Sequence, residues 1–286
     1  MRTIKNIFSI AFQNIRKWPT SYRMWFIAAY VIYFSYYITQ NIGTACNTTG
    51  MKISPWIFPM MLSSNINILY LVLPIIILFC DAPFLDNTQP YIIVRSKRTV
   101  WALGQMIYIA VSSFIYSLFL MIMSVIVNLG HMEFTSQWGS FIRDPFVNNY
   151  LNENPRGYFF VVDHIVKYFT PLQAMWFTFL FLWLVGILLG LLMFCLNSVS
   201  GSRILGAFCA TFLLVWIQGV GWLSEWFVRL SPVSWVDLTN ISISGEPPAL
   251  PSYTYVMTFY IGAIVLLSAV ILITNRKRSI EVLPPV

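Results

Sequence analysis

Charge is what this sequence lacks most. Only 9% of its 286 residues are Asp, Glu, Lys or Arg, while 58% are hydrophobic; an ordinary soluble domain carries about 25% charged residues. A water-soluble globular domain is thereby excluded, and the chain reads as an integral membrane protein. Histidine is scarce as well. His131 and His164 have Glu133 and Asp163 beside them, but no HExxH spacing and no further ligand at a recognisable interval. The four cysteines, Cys46, Cys80, Cys195 and Cys209, show no paired spacing, which supports neither a disulfide framework nor a zinc site. Cys80, Cys195 and Cys209 read as buried packing residues and Cys46 as an exposed thiol. No GxxxxGK(S/T) motif is present, so a P-loop of this chain's own is excluded. No internal repeat or low-complexity stretch breaks the chain into units.

The few charges that remain delimit the crossings, because an ionised side chain at the bilayer centre costs at least ~2.5 kcal/mol. Six charge-free windows hold the ~20 residues that a spanning helix needs: Met24–Met51, Ile53–Cys80, Thr99–Gly130, Tyr168–Ser202, Ile204–Ser224 and Pro247–Asn275. Their apolar centres predict spans near 24–41, 65–81, 100–129, 171–196, 204–221 and 253–274. The expected fold is an all-α membrane domain covering 1–286, with six transmembrane helices and no separate soluble domain.

Lys and Arg set its orientation, since cytoplasmic loops retain them. With both termini inside, Arg2, Lys5, Arg16, Lys17, Arg23, Arg95, Lys97, Arg98, Arg203, Arg276, Lys277 and Arg278 are cytoplasmic. Lys52 is left for a separate outer segment, and Arg143, Arg156, Lys167 and Arg229 for the longer outer loops, 130–170 and 222–252. The net charge of +7 is thus an orientation signal, and no soluble basic domain exists to present it to nucleic acid.

The first residues resemble a signal peptide only superficially: the apolar stretch is short, Arg16–Lys17 follows it, and no small-residue cleavage site appears. At helical period, Ile4, Ile7, Phe8, Ala11, Ile15 and Trp18 share a face, with Arg2, Lys5, Gln13, Arg16 and Lys17 mostly opposite. The spacing predicts an amphipathic helix over 1–19 lying in the inner interface, broken by Pro19. The plain alternative is a basic tail.

Polar groups at depth are neutral: Gln105, Ser112, Ser113, Ser117, Thr178, Thr211 and Gln218. An ion-driven carrier keeps ionisable groups inside its helices, whereas neutral ones more often glue helices together. Gly186-xxx-Gly190 and Gly206-xxx-Ala210 place small residues one turn apart and are candidate helix or subunit contacts. Asn47-Thr48-Thr49 and Asn240-Ile241-Ser242 match the glycosylation sequon.

One inner connection, 82–99, stands out. "DAPFLDNTQPYIIVRSKRTVW" is long, and holds Arg95, Lys97 and Arg98 behind the apolar Tyr91-Ile92-Ile93-Val94. Headgroup anchoring accounts for the charge but not for the length or the apolar stretch. Here the chain resembles the permease subunits of type-2 ABC exporters, over nearly its whole length. "RTIKNIFSIAFQNIRKWP" is similar to their interfacial helix, and "DAPFLDNTQPYIIVRSKRTVW" to their coupling region. "GWLSEWFVRLSPVSWVDL" is similar to the outer hairpin between their fifth and sixth spans, with Trp222, Leu223, Trp226, Phe227 and Leu230 at helical spacing, then Pro232 and Trp235. The loop 130–170 is longer than the family leads one to expect, and the coupling region lacks the acidic, glycine-containing pattern of many members.

The resemblance implies a non-enzymatic membrane subunit of the bacterial cytoplasmic membrane. ATP and Mg would be bound by a separate ATPase, which docks on Phe84, Tyr91, Ile92, Arg95, Lys97 and Arg98. A second permease, identical or homologous, would complete the path, and membrane lipids surround it. The cargo would be hydrophobic or amphipathic: an antimicrobial peptide, a drug or a lipid-linked molecule. Two rivals stand beside this reading. A membrane sensor or immunity protein would bind a ligand through the outer loops; a polytopic membrane enzyme would use the His131/Glu133 and Asp163/His164 neighbourhoods.

Overall fold

A computed structural model describes residues 2–84, 93, 96–153, 157–220, 225–242 and 250–277. Within these, six helices run between two ends of the molecule: α2 (Tyr22–Thr49), α4 (Asn65–Phe79), α5 (Arg98–Ile126), α9 (Pro171–Ser200), α10 (Arg203–Val220) and α11 (Tyr253–Lys277). One end gathers Arg23, Asp81, Arg98, Asn197 and Arg276 and is called the basic end. The other gathers residues 50–64, 129–153, 157–170, 225–242 and 250–252 and is called the loop end. Three helices, α5, α9 and α11, are long and apolar enough to cross a membrane; α4 and α10 are apolar but shorter. At 1.5 Å per residue, the 15 residues of α4 reach ~22 Å, less than the ~30 Å of hydrocarbon.

Helix ends follow the local chemistry. α9 starts on a capping box in which Thr170 and Gln173 exchange side-chain-to-backbone bonds, and stops at Gly201 with φ 75°; α2 stops at Gly50 with φ 68°. Both glycines supply the left-handed residue that closes a helix C-terminus. α9 is the hub of the bundle, packing on α5, α10, α11 and α4. Of its most apolar stretch 72% is buried, against 39% for α5 and 17% for α11, so α11 lies at the periphery.

The amino-terminal helix, α1 (Arg2–Arg16), differs from the expected interfacial helix in which face it uses. It packs along the start of α5, burying Ile10, Ala11 and Asn14. Gly104 makes the approach possible, since a Cβ there would lie 2.8 Å from Ile10. Asn14 Nδ2 donates to Gln105 Oε1 at 2.7 Å. Ile4 and Phe8 point away from the protein together with Phe12, while Ile7, Ile15 and Trp18 are half-buried. The six residues are therefore split: Ile4 and Phe8, with Phe12, turn away from the protein, while Ala11, with Ile10, packs against it beside half-buried Ile7, Ile15 and Trp18. A 3-10 turn at Trp18–Thr20 follows.

A second correction concerns Cys46. α2 continues past the expected end of its span to Thr49, and Cys46 is 6% exposed, not an exposed thiol. What covers it is a cap. Residues 50–64, with α3 (Phe58–Met61), pack with α6 (Gly139–Arg143), α7 (Pro145–Glu153) and α8 (Asp163–Tyr168) around buried Ile53, Phe58, Trp138, Phe141, Val147 and Phe159. Backbone bonds pair Ile53 with His131 and Glu133, Trp138 Nε1 donates to the Phe169 carbonyl, and Ser54 Oγ to that of Trp138. The cap is seated on the helices by Asn41 Nδ2 to the Phe159 carbonyl (2.9 Å), Asn67 Nδ2 to the Tyr158 carbonyl (2.8 Å) and the Tyr158 N–H to the Ile38 carbonyl (3.1 Å). The stretch 130–170, expected as a loop, is thus folded over its described residues, 130–153 and 157–170.

Candidate functional site at the basic end

Three helix junctions meet at the basic end, and short polar contacts join them. Where α4 ends, residues 81–84 form a turn. The Asp81 carboxylate pairs with the Arg23 guanidinium at the start of α2. Both side chains are over a third exposed (36% and 44%), so the pair is worth at most ~1 kcal/mol and serves to hold position. One residue on, the Ala82 carbonyl accepts from Asn197 Nδ2 at 2.7 Å, and Asn197 Oδ1 accepts from the Gly206 N–H at 2.8 Å. Asn197 is buried. A single side chain thus ties the 81–84 turn to the α9–α10 junction.

Phe84 has a φ of 56°, a left-handed conformation that is unusual for a bulky residue. Its ring stands edge-on to Tyr108 (4.9 Å) and Phe79 (6.3 Å), so it packs inward on α5 and α4. At the far side of the connection, Lys97 has a φ of 71° and leads into α5, and Arg98 Nη1 donates to the Arg276 carbonyl at 3.4 Å. Ile93 is buried. Tyr91, Ile92 and Arg95 lie outside the described residues; Phe84 and the pair Lys97 and Arg98 are described at the two ends of the connection.

The stretch expected as an outer hairpin forms consecutive 3-10 turns, Glu225–Leu230, Pro232–Val236 and Leu238–Asn240. Ser231-Pro232 interrupts any longer helix, because proline cannot donate to the preceding turn. Trp222 lies outside the described residues. Trp226 is exposed, with the Arg229 guanidinium 4.3 Å from its ring centre, and Phe227 leans on Trp216. Pro232 and Trp235 are buried: the Pro232 carbonyl accepts from Tyr260 Oη at 2.7 Å, and Trp235 Nε1 donates to the Val228 carbonyl at 2.8 Å. These two anchor the turns on α11.

The small residues pack within the chain. A Cβ on Gly186 would meet Ser113 at 2.8 Å, one on Gly190 would meet Ile109 at 2.5 Å and Phe79 at 2.9 Å, and one on Gly206 would meet Asn197 at 2.5 Å; Ala210 is fully buried. Gln218 Nε2 donates to the Asn65 carbonyl, a helix-to-helix bond.

Sequence reasoning missed Asn197 and Asp237. Asn197 is a polar residue just after an apolar run, the usual place for a helix-end bond, and was open to detection on that ground. Asp237 is buried at the loop end, and burial pushes its carboxyl up to about 6 despite a bond from the Thr239 N–H. The sign follows from linkage. The unfolded carboxyl ionises near 3.8, so the folded state holds the proton more tightly. At neutral pH the buried charge is a penalty on the order of 3 kcal/mol, relieved as pH falls through 6 and gone below the unfolded value. Asp237→Asn is expected to raise the unfolding temperature at pH 8 and to erase its rise between pH 8 and pH 5. A wild-type transition that stays level across that range would show that the carboxyl is not shifted. His164 is held below the ordinary imidazole range by burial and by Lys167, and stacks near Tyr168 at 4.8 Å.

Compared with protein-family models, curated proteins and solved structures, the chain gives no match. The functional reading therefore rests on the arrangement of its own residues.

Proposed function

We infer that the chain is the membrane-spanning subunit of an ATP-driven exporter of the bacterial cytoplasmic membrane, with all six long helices crossing and both termini inside. The ATPase is a separate chain, and a second permease completes the path. The observation that carries this reading is the stitching of the 81–84 turn: to α2 by Arg23–Asp81, to the α9–α10 junction by Asn197, and to α5 by Phe84. A partner that grips the connection 82–99 can then move α4 together with α2, α5 and the α9–α10 junction. Coupling requires that the partner contact this connection differently in its two nucleotide states.

Support for the path comes from the outward faces of two helices. α4 packs between α2 and α10, and both neighbours turn large apolar side chains outward: Trp25, Phe26, Tyr33 and Tyr36 on α2, Phe208 and Phe212 on α10. An aromatic wall of this kind suits a hydrophobic or amphipathic cargo and a second subunit facing it.

The test is affinity purification from native membranes of the wild-type chain and of the triple variant Arg95→Ala, Lys97→Ala, Arg98→Ala. A stoichiometric Walker-motif ATPase is expected with the wild type, and its recovery should fall about tenfold or more with the variant if each lost charge contributes ~1 kcal/mol. Recovery of the chain alone, with function intact in cells lacking any such ATPase, would overturn the reading. That outcome would favour a sensor or immunity protein, for which the folded cap is the specific observation: Thr135, Ser136, Gln137, Gly139, Ser140 and Arg143 line an open polar cleft of about 400 Å³ on its surface.

A further inference from the structure

We propose that the polar cleft on the cap holds the carboxylate of a small organic monoanion, with the Arg143 guanidinium as its partner. At about 400 Å³ the cleft falls within the size range of small-molecule sites. Its lining of Thr135, Ser136, Gln137, Gly139, Ser140 and Arg143 contains one cation and no acidic residue.

The lining offers donors because three backbone acceptors of its loop are already engaged. Trp56 Nε1 donates to the Thr135 carbonyl and Ser54 Oγ to that of Trp138, each at 2.8 Å, and the Gln137 carbonyl accepts from Thr135 Oγ1 at 2.9 Å. Trp138 itself is buried, its indole bonded to the Phe169 carbonyl, so the loop is fixed from below before any ligand arrives. Gly139, with φ 77°, then turns the chain into α6 in a conformation that glycine adopts without steric cost. Ser140 and Arg143 stand three apart on that helix, hence on one face. Among the described residues, the side chains of Ser136, Gln137, Ser140 and Arg143 make no hydrogen bond or ion pair with the protein.

One guanidinium balances one negative charge. Its fork matches the two oxygens of a carboxylate, whereas a phosphate monoester carries ~1.5–2 charges at neutral pH and would be left partly unbalanced. Asp144, the next residue, is engaged elsewhere: its Oδ1 accepts from the Phe146 N–H at 2.7 Å, at the start of α7. A carboxylate fills only part of the cleft, and the Ser136 and Ser140 hydroxyls with the Gln137 amide remain for other polar groups of the ligand. This inference needs only the folded cap, so it stands or falls separately from export.

The experiment titrates the full chain in detergent with N-acetyl-trialanine, its C-terminal amide, acetate and inorganic phosphate, read by calorimetry. The peptide acid is expected to bind, and its amide about tenfold more weakly or worse. Arg143→Gln should weaken the acid about tenfold, the low end for a hydrogen bond to a charged group, and Arg143→Lys by less, since it keeps the charge without the fork. Arg143 is exposed, so the unfolding temperature should hold in both variants. Lys52→Gln removes an exposed cation of the same end that does not line the cleft, and should change nothing. Acetate binding as tightly as the peptide would assign the cleft to small free acids, and weaker acetate binding to peptide termini; either supports the proposal. Equal affinity for acid and amide, phosphate bound more tightly than both carboxylates, binding unmoved by Arg143→Gln, or no saturable binding below about 10 mM would each overturn it.

Discussion

Replacing Asn197 with Leu is expected to lower the unfolding temperature of the purified protein by roughly 10 °C, the largest effect of any single side chain at the basic end. Leucine keeps asparagine's branched outline but can neither donate nor accept, so both hydrogen bonds are lost, and its larger methyl groups add crowding against Gly206. The Ala82 carbonyl loses its donor and the Gly206 N–H loses its acceptor. Each is left unpaired where Asn197 was buried, and an unsatisfied buried group costs about 1–3 kcal/mol. Two such groups give about 2–6 kcal/mol, which translates to that shift in a chain of this size. Scanning fluorimetry in detergent reads it directly. The same variant should also recover less ATPase in the purification described above, because the 81–84 turn would no longer be fixed to the α9–α10 junction. An unchanged transition would mean that water replaces both bonds, and the turn would then have no rigid link to α9.

Gly190→Val should be worse still, abolishing recovery of folded protein. α9 is the hub of the bundle, and at Gly190 it approaches α5 and α4 so closely that an added Cβ would stand 2.5 Å from Ile109 Cγ2 and 2.9 Å from Phe79. Overpacking by one methyl group costs about 1–3 kcal/mol, and valine adds two more carbons to the same gap. Gly190→Ala should be intermediate, and the pairing makes the argument specific. Ile109→Ala removes the atoms that the new methyl strikes, so Gly190→Ala with Ile109→Ala should be more stable than the two separate losses sum to. A coupling of 0.5 kcal/mol or more, as direct neighbours show, is expected from thermal unfolding of the four proteins. Strict additivity would place Gly190 away from Ile109.

Much of the helical framework was legible because so few charges interrupt it. Helix α10 was expected over 204–221 and runs Arg203–Val220; α4 was expected over 65–81 and ends at Phe79. At those places a Lys, Arg or Asp, or a proline nearby, ends the apolar run and the helix together. The cap was not legible for the converse reason. Phe141, Ile142, Val147 and Leu151 are buried but belong to helices of five and nine residues, too short to show a period, and Trp138 just before them is bonded by Ser54, 84 residues back. The face of α1 was misjudged because it carries two apolar stripes, and periodicity alone does not say which meets protein. In the 3-10 turns of 225–240, local spacing suggested an α-helix, while Pro232 and the buried Trp235 set the tighter path. At the basic end, Phe84, Lys97 and Arg98 were singled out from charge and length, but Asn197, which joins their connection to the rest, lies 115 residues from its partner Ala82. No local pattern encodes such a bond.

The seating of the cap on α2 imposes an order on how the protein is made. Gly157 lies so close to α2 that a Cβ would stand 2.8 Å from the Ile38 carbonyl, and Asn41 waits for the Phe159 carbonyl 118 residues further along the chain. As synthesis proceeds from the amino terminus, α2 and α4 are complete long before residues 157–159 exist. Until that segment has been carried to the loop end, the amides of Asn41 and Asn67 must find other partners, in water or in the insertion machinery. Biogenesis therefore passes through a stage in which the first helices are delivered but unsealed, and closure of the cap is the step that retires it.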